Sequence, residues 1–523
     1  MLDVIVIGGG HNGLVCANYL AMAGKKVRVL ERRHVVGGAA VTEEFHPGFR
    51  NSVASYTVSL LNPKIIRDLK LHDNGLKIVH RKVNNLWPHP DGNFLAFVLG
   101  EENLRDEIAQ FSENDAHALS RYFRDTGMVA DLIRDFLLET PPNIGSGFKD
   151  IFKTVKFGNR LRKLSLEDQR IVMDAFTKSV SDFLDLYFEN DYVKGAFAFD
   201  GIVGNYADTE TPGSAYVLMH HAFGEVNGTK GIWGHAIGGM GAITQAMATS
   251  AQAKGVEIQT DAAVKKLLVK NGQAYGVELE NGDVVEAKVI ASNLNPSLLY
   301  NHLVDAQDMP ADFARRMKHY KNGSGTFRMN VALSKLPEFT CLQQQDRATL
   351  EHLTGGIVIA PTCDYIDQAY RDSKQFGWSK APIVEMLIPS TLDNTLAPEG
   401  QHVASLFCQQ FDPDTDWDSY RDAAADLIIE TVDKYAPGFK KSVIGRQVLS
   451  PLYLERVFGL TKGDIMHGHM SLDQMFSSRP LLGHGNYRSP IKGLYLCGAG
   501  THPGGGVTGA PGHNAAHEIL KDI

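Results

Sequence analysis

The sequence predicts an α/β fold joined to a second part of mixed α+β structure, and three observations predict it. A β-branched strand leads directly into a glycine-rich turn at the N-terminus. A region of alternating apolar and polar residues occupies 256–293, and a second strand followed by glycines lies near the C-terminus. A chain of 523 residues exceeds the size at which one hydrophobic core stops growing. We therefore expect two domains or more.

The first forty residues carry the clearest pattern. Residues 2–7 form a short apolar run typical of a buried parallel strand, 14–23 predict a helix, and 26–30 predict a second strand. Gly8, Gly10 and Gly13 follow the first strand in GxGxxG spacing. In this fingerprint the glycines admit a pyrophosphate to the helix N-terminus, and an acidic residue after the next strand holds the ribose hydroxyls. The predicted dinucleotide contacts are Gly8, Gly10, His11, Asn12, Gly13, Glu31 and Arg32.

A second glycine pair, Gly37-Gly38, follows the second strand and precedes Ala39 and Thr42. The GxGxxG motif alone leaves NAD and FAD open. The extended pattern resembles the flavoprotein motif shared by amine oxidases, phytoene desaturases and Rab GDP-dissociation inhibitors. This resemblance implies FAD as the cofactor, with Gly37, Gly38 and Ala39 in contact with it.

The middle of the chain predicts antiparallel strands. Residues 256–293 alternate apolar and polar side chains and contain Asn271-Gly272 and Asn281-Gly282, pairs that favour hairpin turns. Three or four strands are expected, after a glycine-rich turn and helix at 229–247. In the resembling flavoproteins such strands lie over the FAD domain. The resemblance implies that backbone groups around Val264 contact the adenine.

The C-terminal stretch LYLCGAGTHPGGGVTGAPGHNAAHEIL predicts a buried strand, a glycine turn and a helix from Thr508 to Leu520. A helix N-terminus presents unpaired N–H groups and partial positive charge. The stretch closely resembles the C-terminal signature of carotenoid desaturases and isomerases, and 233–247 and 463–480 resemble a phytoene-dehydrogenase-related branch. The resemblance implies contacts to the flavin ring from Gly498, Ala499, Gly500, Gly506, Val507 and Thr508.

The motifs divide the chain into two discontinuous units. A Rossmann-like FAD-binding domain of the glutathione-reductase and amine-oxidase type is predicted from 1–75, 229–301 and 446–523. A substrate domain is predicted from 76–228 and 302–445. Each domain would therefore be assembled from separate stretches of chain.

The family resemblance implies an FAD-dependent oxidoreductase that removes a hydride from a small apolar substrate, lipid-like or isoprenoid, to flavin N5. Three alternatives stay open: a redox-neutral polyene isomerase, an amine oxidase, and a non-catalytic lipid- or prenyl-binding protein on the same fold. His235, His467 and His502 are the candidate catalytic residues, because each lies within one of the resembling motifs.

Composition and spacing argue against other classes. A net charge of −8 is unsuited to a nucleic-acid partner. The five cysteines include no CxxC pair, and no second GxGxxG follows a strand, so disulfide-oxidoreductase chemistry is not predicted. Asp412 begins an acidic stretch that lacks the glycine and glutamate of a calcium loop, and His467 and His469 supply only two ligands. No metal site is predicted.

The scattered cysteines and the lack of a bilayer-length apolar run predict a cytoplasmic protein. In a eukaryote the family resemblance would imply the mitochondrial matrix instead. Residues 148–163 combine basic and apolar positions at helical spacing. This segment predicts either peripheral contact with an anionic membrane or a solvated face over a core stripe, with Gly158-Asn159 interrupting a single helix. The sequence does not indicate an oligomeric state.

Overall fold

The computed structural model describes residues 1–143, 148–343, 346 and 350–523, and the side chains of 148, 149, 151–153, 156 and 157 lie outside the description. The strands are β1 (Leu2–Ile7), β2 (Val27–Leu30), β3 (Thr42–His46), β4 (Phe49–Ser52), β5 (Ile78–His80), β6 (Val83–Pro88), β7 (Phe94–Val98), β8 (Glu225–Val226), β9 (Thr229–Lys230), β10 (Gly234–Ala236), β11 (Glu257–Gln259), β12 (Val264–Lys270), β13 (Gln273–Leu279), β14 (Val284–Ser292), β15 (Phe327–Leu333), β16 (Gly356–Ile359), β17 (Trp378–Leu387), β18 (His402–Phe411), β19 (Val443–Leu449) and β20 (Leu494–Leu496).

The α-helices are α1 (His11–Met22), α2 (Pro63–Asp68), α3 (Glu101–Ala109), α4 (Glu113–Leu137), α5 (Phe148–Arg162), α6 (Leu166–Thr177), α7 (Val180–Leu184), α8 (Asp191–Ala198), α9 (Ser214–Ala222), α10 (Gly241–Gln252), α11 (Pro296–Leu298), α12 (Ala311–Met317), α13 (Cys363–Phe376), α14 (Trp417–Tyr435), α15 (Phe439–Ser442), α16 (Pro451–Phe458) and α17 (Ala510–Ile519). None of the helices in the described ranges is both long and apolar enough to cross a bilayer.

The first sheet is built from three distant stretches of chain. β1 lies at its centre and pairs in parallel with β2 on one side and with the end of β14 on the other. β11 and β20 extend the parallel part at its two edges. From the start of β14, β13 and β12 continue the sheet as antiparallel hairpins. The predicted strand-turn-helix at the N-terminus and the predicted antiparallel strands are therefore confirmed.

Apolar helices cover this sheet closely. Val4, Ile5 and Val6 are completely buried, as a run with both faces covered requires. α1 begins at His11, before the predicted start at residue 14, because Gly13 fits within the helix. α17 packs against α1 so tightly that a Cβ on Gly512 would lie 2.1 Å from the backbone oxygen of Asn12.

The C-terminal helix differs slightly from its prediction. It runs from Ala510 to Ile519 rather than from Thr508 to Leu520. Gly509 precedes it with a φ of +74°, a left-handed conformation that cannot continue a right-handed helix. The turn at Gly509 therefore sets the start of the helix.

The second sheet has the strand order β19-β15-β18-β17-β16-β6-β7 and is antiparallel except for the β16–β6 pair. One face packs against α14, with Trp417 and Ile428 buried against Phe327 and Met329. α3, α4 and α6 to α9 contribute to a separate apolar core. The mixed α+β part predicted from the sequence is this sheet with its helices.

The predicted domain boundaries remain a prediction. β19 lies across the boundary proposed between 445 and 446, and it pairs along its length with β15 of the second sheet. β5, at 78–80, pairs with β10, at 234–236. The chain thus crosses between the two predicted units by strand pairing as well as by connecting loops.

α5 corrects one expectation. The helix is continuous through Gly158 and Asn159, which were expected to interrupt it. A glycine inside a helix costs only about 1 kcal/mol relative to alanine, so neighbouring residues can offset it. Several side chains of the proposed membrane-contact segment 148–163 lie outside the described residues, and the contact stays a prediction.

Candidate active site

A cavity of about 220 Å³ opens where β1 ends, between the first glycine loop and the start of β12. We call it the glycine-loop cavity. Ligands of open α/β sheets bind at this carboxyl edge of the strands. Among the predicted site residues, the structure places at its wall Gly8, Gly10, His11, Asn12, Glu31, Arg32, Gly38, Ala39, Val264, His467 and Ala499.

The two N-terminal glycine loops meet backbone to backbone. A Cβ on Gly13 would lie 2.2 Å from the oxygen of Gly8, and one on Gly10 would lie 2.8 Å from Nδ2 of Asn293. Gly37 donates its N–H to the oxygen of Gly9 at 2.9 Å, and a Cβ on Gly38 would lie 3.3 Å from Cα of Gly10. Because glycine has no side chain, a phosphate can approach the backbone N–H groups of these loops directly.

Glu31 is held in place by backbone donors. Its carboxylate accepts from the N–H of Gly9 at 2.8 Å through Oε2 and from the N–H of Arg33 at 2.9 Å through Oε1. The residue is only 6% exposed. An ionised carboxylate is an acceptor with several lone pairs, so it retains capacity for ribose hydroxyls beside the cavity.

Four buried polar atoms at the cavity wall have no hydrogen-bond partner among the described residues: Nε2 of His11, Oδ1 of Asn12, Nη1 of Arg33 and Nδ1 of His467. Burial lowers the pKa of His11 to about 3 and that of His467 to about 4, so both rings are neutral near pH 7. An unpartnered buried polar group costs about 1–3 kcal/mol. These four atoms therefore match the polar edges of a large cofactor, and the residues fit FAD.

Asn293 is a cavity residue that motif analysis missed. Its Nδ2 donates to the oxygen of Gly8 at 3.3 Å, and its side chain lies against Gly10 and Gly13. It directly follows β14, the parallel neighbour of β1. A polar residue at the carboxyl end of a central parallel strand was the available signal.

Most of the C-terminal glycine residues do not line this cavity. Gly498 packs against the backbone of Asn293, and Gly500 packs against Pro296. Gly506 lies against Leu60, next to Val507, whose φ is +58°. The hydroxyl of Thr508 accepts from the N–H of Ala510 at 3.1 Å. The predicted flavin contacts of Gly498, Gly500, Gly506, Val507 and Thr508 remain predictions.

His235 and His467 are not placed at a substrate cavity. Nε2 of His235 lies 3.2 Å from Oδ2 of Asp393, which also accepts the N–H of Gly238. His235 thus links β10 to the segment that carries Asp393, and it lines none of the cavities named for the described residues. His467 lies beside His11 in the glycine-loop cavity. The catalytic roles predicted for His235 and His467 remain predictions.

His502 lines a second cavity, which we call the apolar cavity. Its volume is about 480 Å³, and its wall includes Leu132, Phe136, Val172 and Phe176. Nε2 of His502 lies 3.0 Å from the oxygen of Phe136. This contact identifies Nε2 as the protonated nitrogen and leaves Nδ1 as a possible acceptor. Burial lowers the pKa of His502 to about 4.

A third cavity, which we call the mixed cavity, lies on the other side of α9. Its volume is about 370 Å³, and its wall combines aromatic residues with Asn85, Asp200 and His221. Tyr216 of α9 lines the apolar cavity, whereas Leu218 and His221 of the same helix line the mixed cavity. α9 is therefore a wall between them. Motif analysis missed this helix because its sequence is that of an ordinary buried helix.

No two of the five cysteines are joined by a disulfide in the described residues. A hydrogen bond with Cys16, together with burial, raises the pKa of the Cys497 thiol well above its usual range. A buried thiol of this kind is a poor nucleophile. No group of three or more metal-ligating side chains was found in the described part of the chain. Asp416, in the acidic stretch, instead caps α14 through the N–H of Ser419.

Comparison with known proteins gives one family match and several full-length relatives. The model for "Flavin containing amine oxidoreductase" matches residues 13–335, more than half of the chain. "Pyridine nucleotide-disulfide oxidoreductase domain-containing protein 2" of Rattus norvegicus is 39% identical, over 100% of this chain and 94% of its own.

More distant relatives also align along the whole chain. A limonene dehydrogenase polypeptide of Castellaniella defragrans is 26% identical, over 100% of this chain and 95% of its own. The chloroplastic prolycopene isomerase of Daucus carota is 27% identical, over 100% of this chain and 80% of its own. A solved mutant of putrescine oxidase has a TM-score of 0.64 at 14% identity, covering 100% of this chain and 99% of that one. This likeness confirms the predicted fold class.

Proposed function

This chain belongs to the flavin-containing amine oxidoreductase family and is an FAD-dependent oxidoreductase, and on that premise we propose that it dehydrogenates an apolar, lipid-like or isoprenoid substrate. The apolar cavity carries the proposal. Hydrocarbon and aromatic side chains dominate its wall, and its described lining residues include no Asp, Glu, Lys or Arg. Binding of an apolar substrate against such a wall is favourable, because it removes apolar surface from water.

In this proposal the glycine-loop cavity binds the cofactor and the apolar cavity binds the substrate. When bound, the flavin supplies the acceptor for the hydride. The glycine loops and Glu31 hold the cofactor, and the neutral rings of His11 and His467 each offer a hydrogen bond. His502 holds an unprotonated Nδ1 at the wall of the apolar cavity. We propose that this atom takes the proton released with the hydride.

The names of two relatives support an apolar substrate. One relative is part of a limonene dehydrogenase and another is a prolycopene isomerase, and both align over the full length of this chain. Limonene and prolycopene are isoprenoid hydrocarbons. The dehydrogenase name agrees with the reaction that we propose.

Anaerobic titration tests the proposal. Purified, FAD-loaded protein is mixed with limonene or with a longer acyclic polyene, and the visible absorbance of the oxidised flavin is followed. We expect bleaching by at least one hydrocarbon. A His502→Asn variant should bleach at least tenfold more slowly at an unchanged FAD content. Failure of every hydrocarbon to bleach the flavin would contradict the dehydrogenation.

A redox-neutral isomerase is the second candidate, and the prolycopene isomerase relative favours it. The same titration separates the two reactions. An isomerase leaves the oxidised flavin unbleached and rearranges a cis-polyene only after chemical reduction of the flavin. Chromatography of the polyene before and after reduction detects that rearrangement.

An amine oxidase is the third candidate, because the family model carries that description. A protonated amine requires an acidic or cation-binding wall, which the described lining of the apolar cavity lacks. Putrescine is the matched probe in the same titration. Bleaching by putrescine and by no hydrocarbon would replace our proposal with this one.

We also propose that α5 brings the apolar cavity to an anionic membrane surface. Met173, in the cavity wall, is 62% exposed, and Val155 on α5 is 52% exposed. Flotation with vesicles containing anionic phospholipid tests this contact. We expect binding at low salt that weakens at high salt. Lys163→Glu should weaken it, whereas Lys335→Glu, at a distant exposed site, should not.

A further inference from the structure

The wall of the mixed cavity contains a continuous row of aromatic rings. The ring centroids lie 4.4 Å apart for Trp87 and Phe97, 4.8 Å apart for Phe97 and Phe197, and 4.7 Å apart for Phe197 and Tyr122. All four residues line the cavity. An aromatic face attracts a cation through its quadrupole, whether or not the cation donates a hydrogen bond. The row is therefore suited to an organic cation as well as to a neutral hydrocarbon.

Asp200 distinguishes between these two kinds of ligand. It lies two residues after α8 and lines the same cavity. Burial and the nearby carboxyl of Asp200 raise the pKa of the Tyr122 hydroxyl well above its usual range, so Asp200 lies beside the aromatic row. Burial also raises the pKa of Asp200 itself to about 7, and no hydrogen-bond donor or cation of the described chain opposes that shift. A cation bound beside this carboxyl would stabilise its ionised form.

His221, in the same wall, is not a counter-ion for Asp200. Its Nδ1 lies 2.8 Å from the oxygen of Val217, and its ring also bonds the backbone of Asp200 and not the carboxyl. Burial lowers the pKa of the ring, so the ring is neutral near pH 7. The nearest basic residue of the inner wall thus supplies no positive charge.

The other charged residues of the wall balance one another. Lys230 and Arg134 both donate to Oδ1 of Asp131, and Glu101 pairs with Arg105 outside the wall. The four wall residues among these carry two positive and two negative charges. The side chains of Lys230 and Asp131 are both 57% exposed, so solvent and salt screen them. Among the described lining residues, the carboxyl of Asp200 is therefore the charge without a partner.

Trp87 adds a hydrogen-bond donor without an acceptor. The residue is 2% exposed, and its Nε1 has no hydrogen-bond partner within the described ranges. An indole N–H can only donate. An oxygen atom on a ligand would supply the acceptor that this group lacks.

We propose that the mixed cavity binds an oxygen-bearing quaternary ammonium compound, with its cationic nitrogen beside Asp200 and its alkyl groups against the aromatic row. A quaternary nitrogen has no N–H group, so one carboxylate and several aromatic faces satisfy it. A primary ammonium has three N–H donors and would need further acceptors. The oxygen of the ligand accepts from Nε1 of Trp87.

The size and position of the mixed cavity agree with a separate ligand site. Its volume of about 370 Å³ falls in the range of small-molecule sites, about 300–1,000 Å³. The described lining residues of the mixed cavity include none that line the apolar cavity or the glycine-loop cavity. The proposal therefore does not depend on the dehydrogenation proposed above.

Calorimetric titration of the FAD-loaded protein with butyrylcholine and with its neutral isostere tests the site. In the isostere a carbon atom replaces the quaternary nitrogen, so shape is kept and charge is lost. We expect butyrylcholine to bind at least tenfold more tightly than the isostere. Equal affinity for the two, or no binding of butyrylcholine, would overturn the proposal without any variant. The measurement requires no turnover, so its failure is distinguishable from failure of the dehydrogenation.

Charge variants identify the carboxylate. Asp200→Asn should reduce the affinity for butyrylcholine to that for the isostere and leave binding of the isostere unchanged. Asp131→Asn makes the same change at the ion-paired, exposed carboxylate of the wall and should preserve the preference for the cation. Retained preference in Asp200→Asn, or in Asp200→Ser should the first variant not fold, excludes Asp200 as the cation site.

Two further measurements locate the ligand. Leu218→Trp, in the mixed cavity, should weaken butyrylcholine binding, whereas Val172→Trp, in the apolar cavity, should not. The reverse pattern would overturn the assignment to the mixed cavity. Butyrylcholine should also leave the absorbance of the oxidised flavin unchanged under anaerobic conditions. Bleaching would show that the cation is oxidised, and it would overturn a ligand site separate from the reaction.

Discussion

At the scale of single residues, the glycine-loop cavity depends on side chains that are absent. Gly10 and Gly13 leave no room for a Cβ, and Gly38 approaches Gly10 through backbone alone. The GxGxxG spacing predicted these positions well, because each glycine is required by close contacts with a few neighbouring residues. The positions are therefore suited to a direct test.

Gly10→Asp should abolish retention of FAD. The new carboxylate would collide with Nδ2 of Asn293 and repel the cofactor pyrophosphate electrostatically. Absorbance spectra of the purified protein and titration of the apoprotein with FAD measure the effect, which we expect to exceed 100-fold in affinity. Gly127→Asp, in α4 where a Cβ meets nothing within 4 Å, is the control. FAD content equal to that of the unaltered protein would refute the phosphate assignment.

Glu518 should stabilise the protein in a pH-dependent way. Burial alone would raise the pKa of its carboxyl, but hydrogen bonds from Lys521, Thr140 and Arg488 outweigh burial and lower it to about 2. The contribution is therefore present above pH 4.5, the ordinary value, and is lost as the pH falls through about 2. Urea unfolding of Glu518→Gln should show a loss of about 2 kcal/mol near pH 7.

The two proteins should converge in stability as the pH is lowered from about 5 toward 2. A difference that stays constant over this range would show that the loss arises from packing alone. Glu430→Gln removes a carboxylate from an exposed ion pair and should change stability little at any pH.

Histidine roles were the least predictable features of single residues. His235, His467 and His502 lie in similar glycine-rich motifs, yet the structure places them against Asp393, in the glycine-loop cavity and in the apolar cavity, respectively. Each location is set by contacts with residues that are distant in the sequence. The spacing of residues within a motif does not predict those contacts.

At the scale of elements, α1 and α17 pack through direct backbone contact and not through large side chains. α1 and α17 meet at Gly512, where the backbone of Asn12 occupies the place of a Cβ. Gly512→Ala should therefore lower the free energy of unfolding by about 1–3 kcal/mol. Gly127→Ala, in the interior of α4 with open space around it, should instead raise it by about 0.5–1 kcal/mol.

Urea unfolding of both variants measures these changes. Equal effects from the two alanines would indicate that only helix propensity matters. The opposite signs that we expect would instead identify the α1–α17 contact as the cause. Because Asn12 also lines the glycine-loop cavity, Gly512→Ala should weaken FAD binding as well.

Elements with local causes were predicted best. The hairpin at Asn271-Gly272 has both residues at positive φ, as its sequence required. The sequence did not predict that α5 continues through Gly158. The free-energy cost of one glycine in a helix is modest, and the rest of the helix offsets it. The second sheet could be expected only as mixed α+β structure, because its strand order joins β6 and β7 to strands more than 250 residues later.

At the scale of the whole molecule, FAD should act as a structural bridge. Residues from β1, β2, β12 and the stretches after β14 and β20 all line one cavity. A ligand that binds only the folded chain stabilises it by mass action. At free FAD about 100-fold above its dissociation constant, the gain is about 2.7 kcal/mol.

Thermal unfolding of apoprotein with increasing FAD measures this gain as a rising midpoint. Gly10→Asp should show no rise over the same concentrations. A midpoint that is insensitive to FAD in the unaltered apoprotein would contradict the bridging role. Adenosine monophosphate, which contains only the adenosine end and one phosphate, should give a smaller rise.

α9 has a consequence for how this architecture can change over evolutionary time. One helix of nine residues supplies walls to two chambers, since Tyr216 and Leu218 lie on different sides of it. A substitution that shifts this helix to enlarge one chamber must narrow the other. New ligand preferences in the two chambers are therefore expected to arise together, through paired substitutions, and not by independent drift.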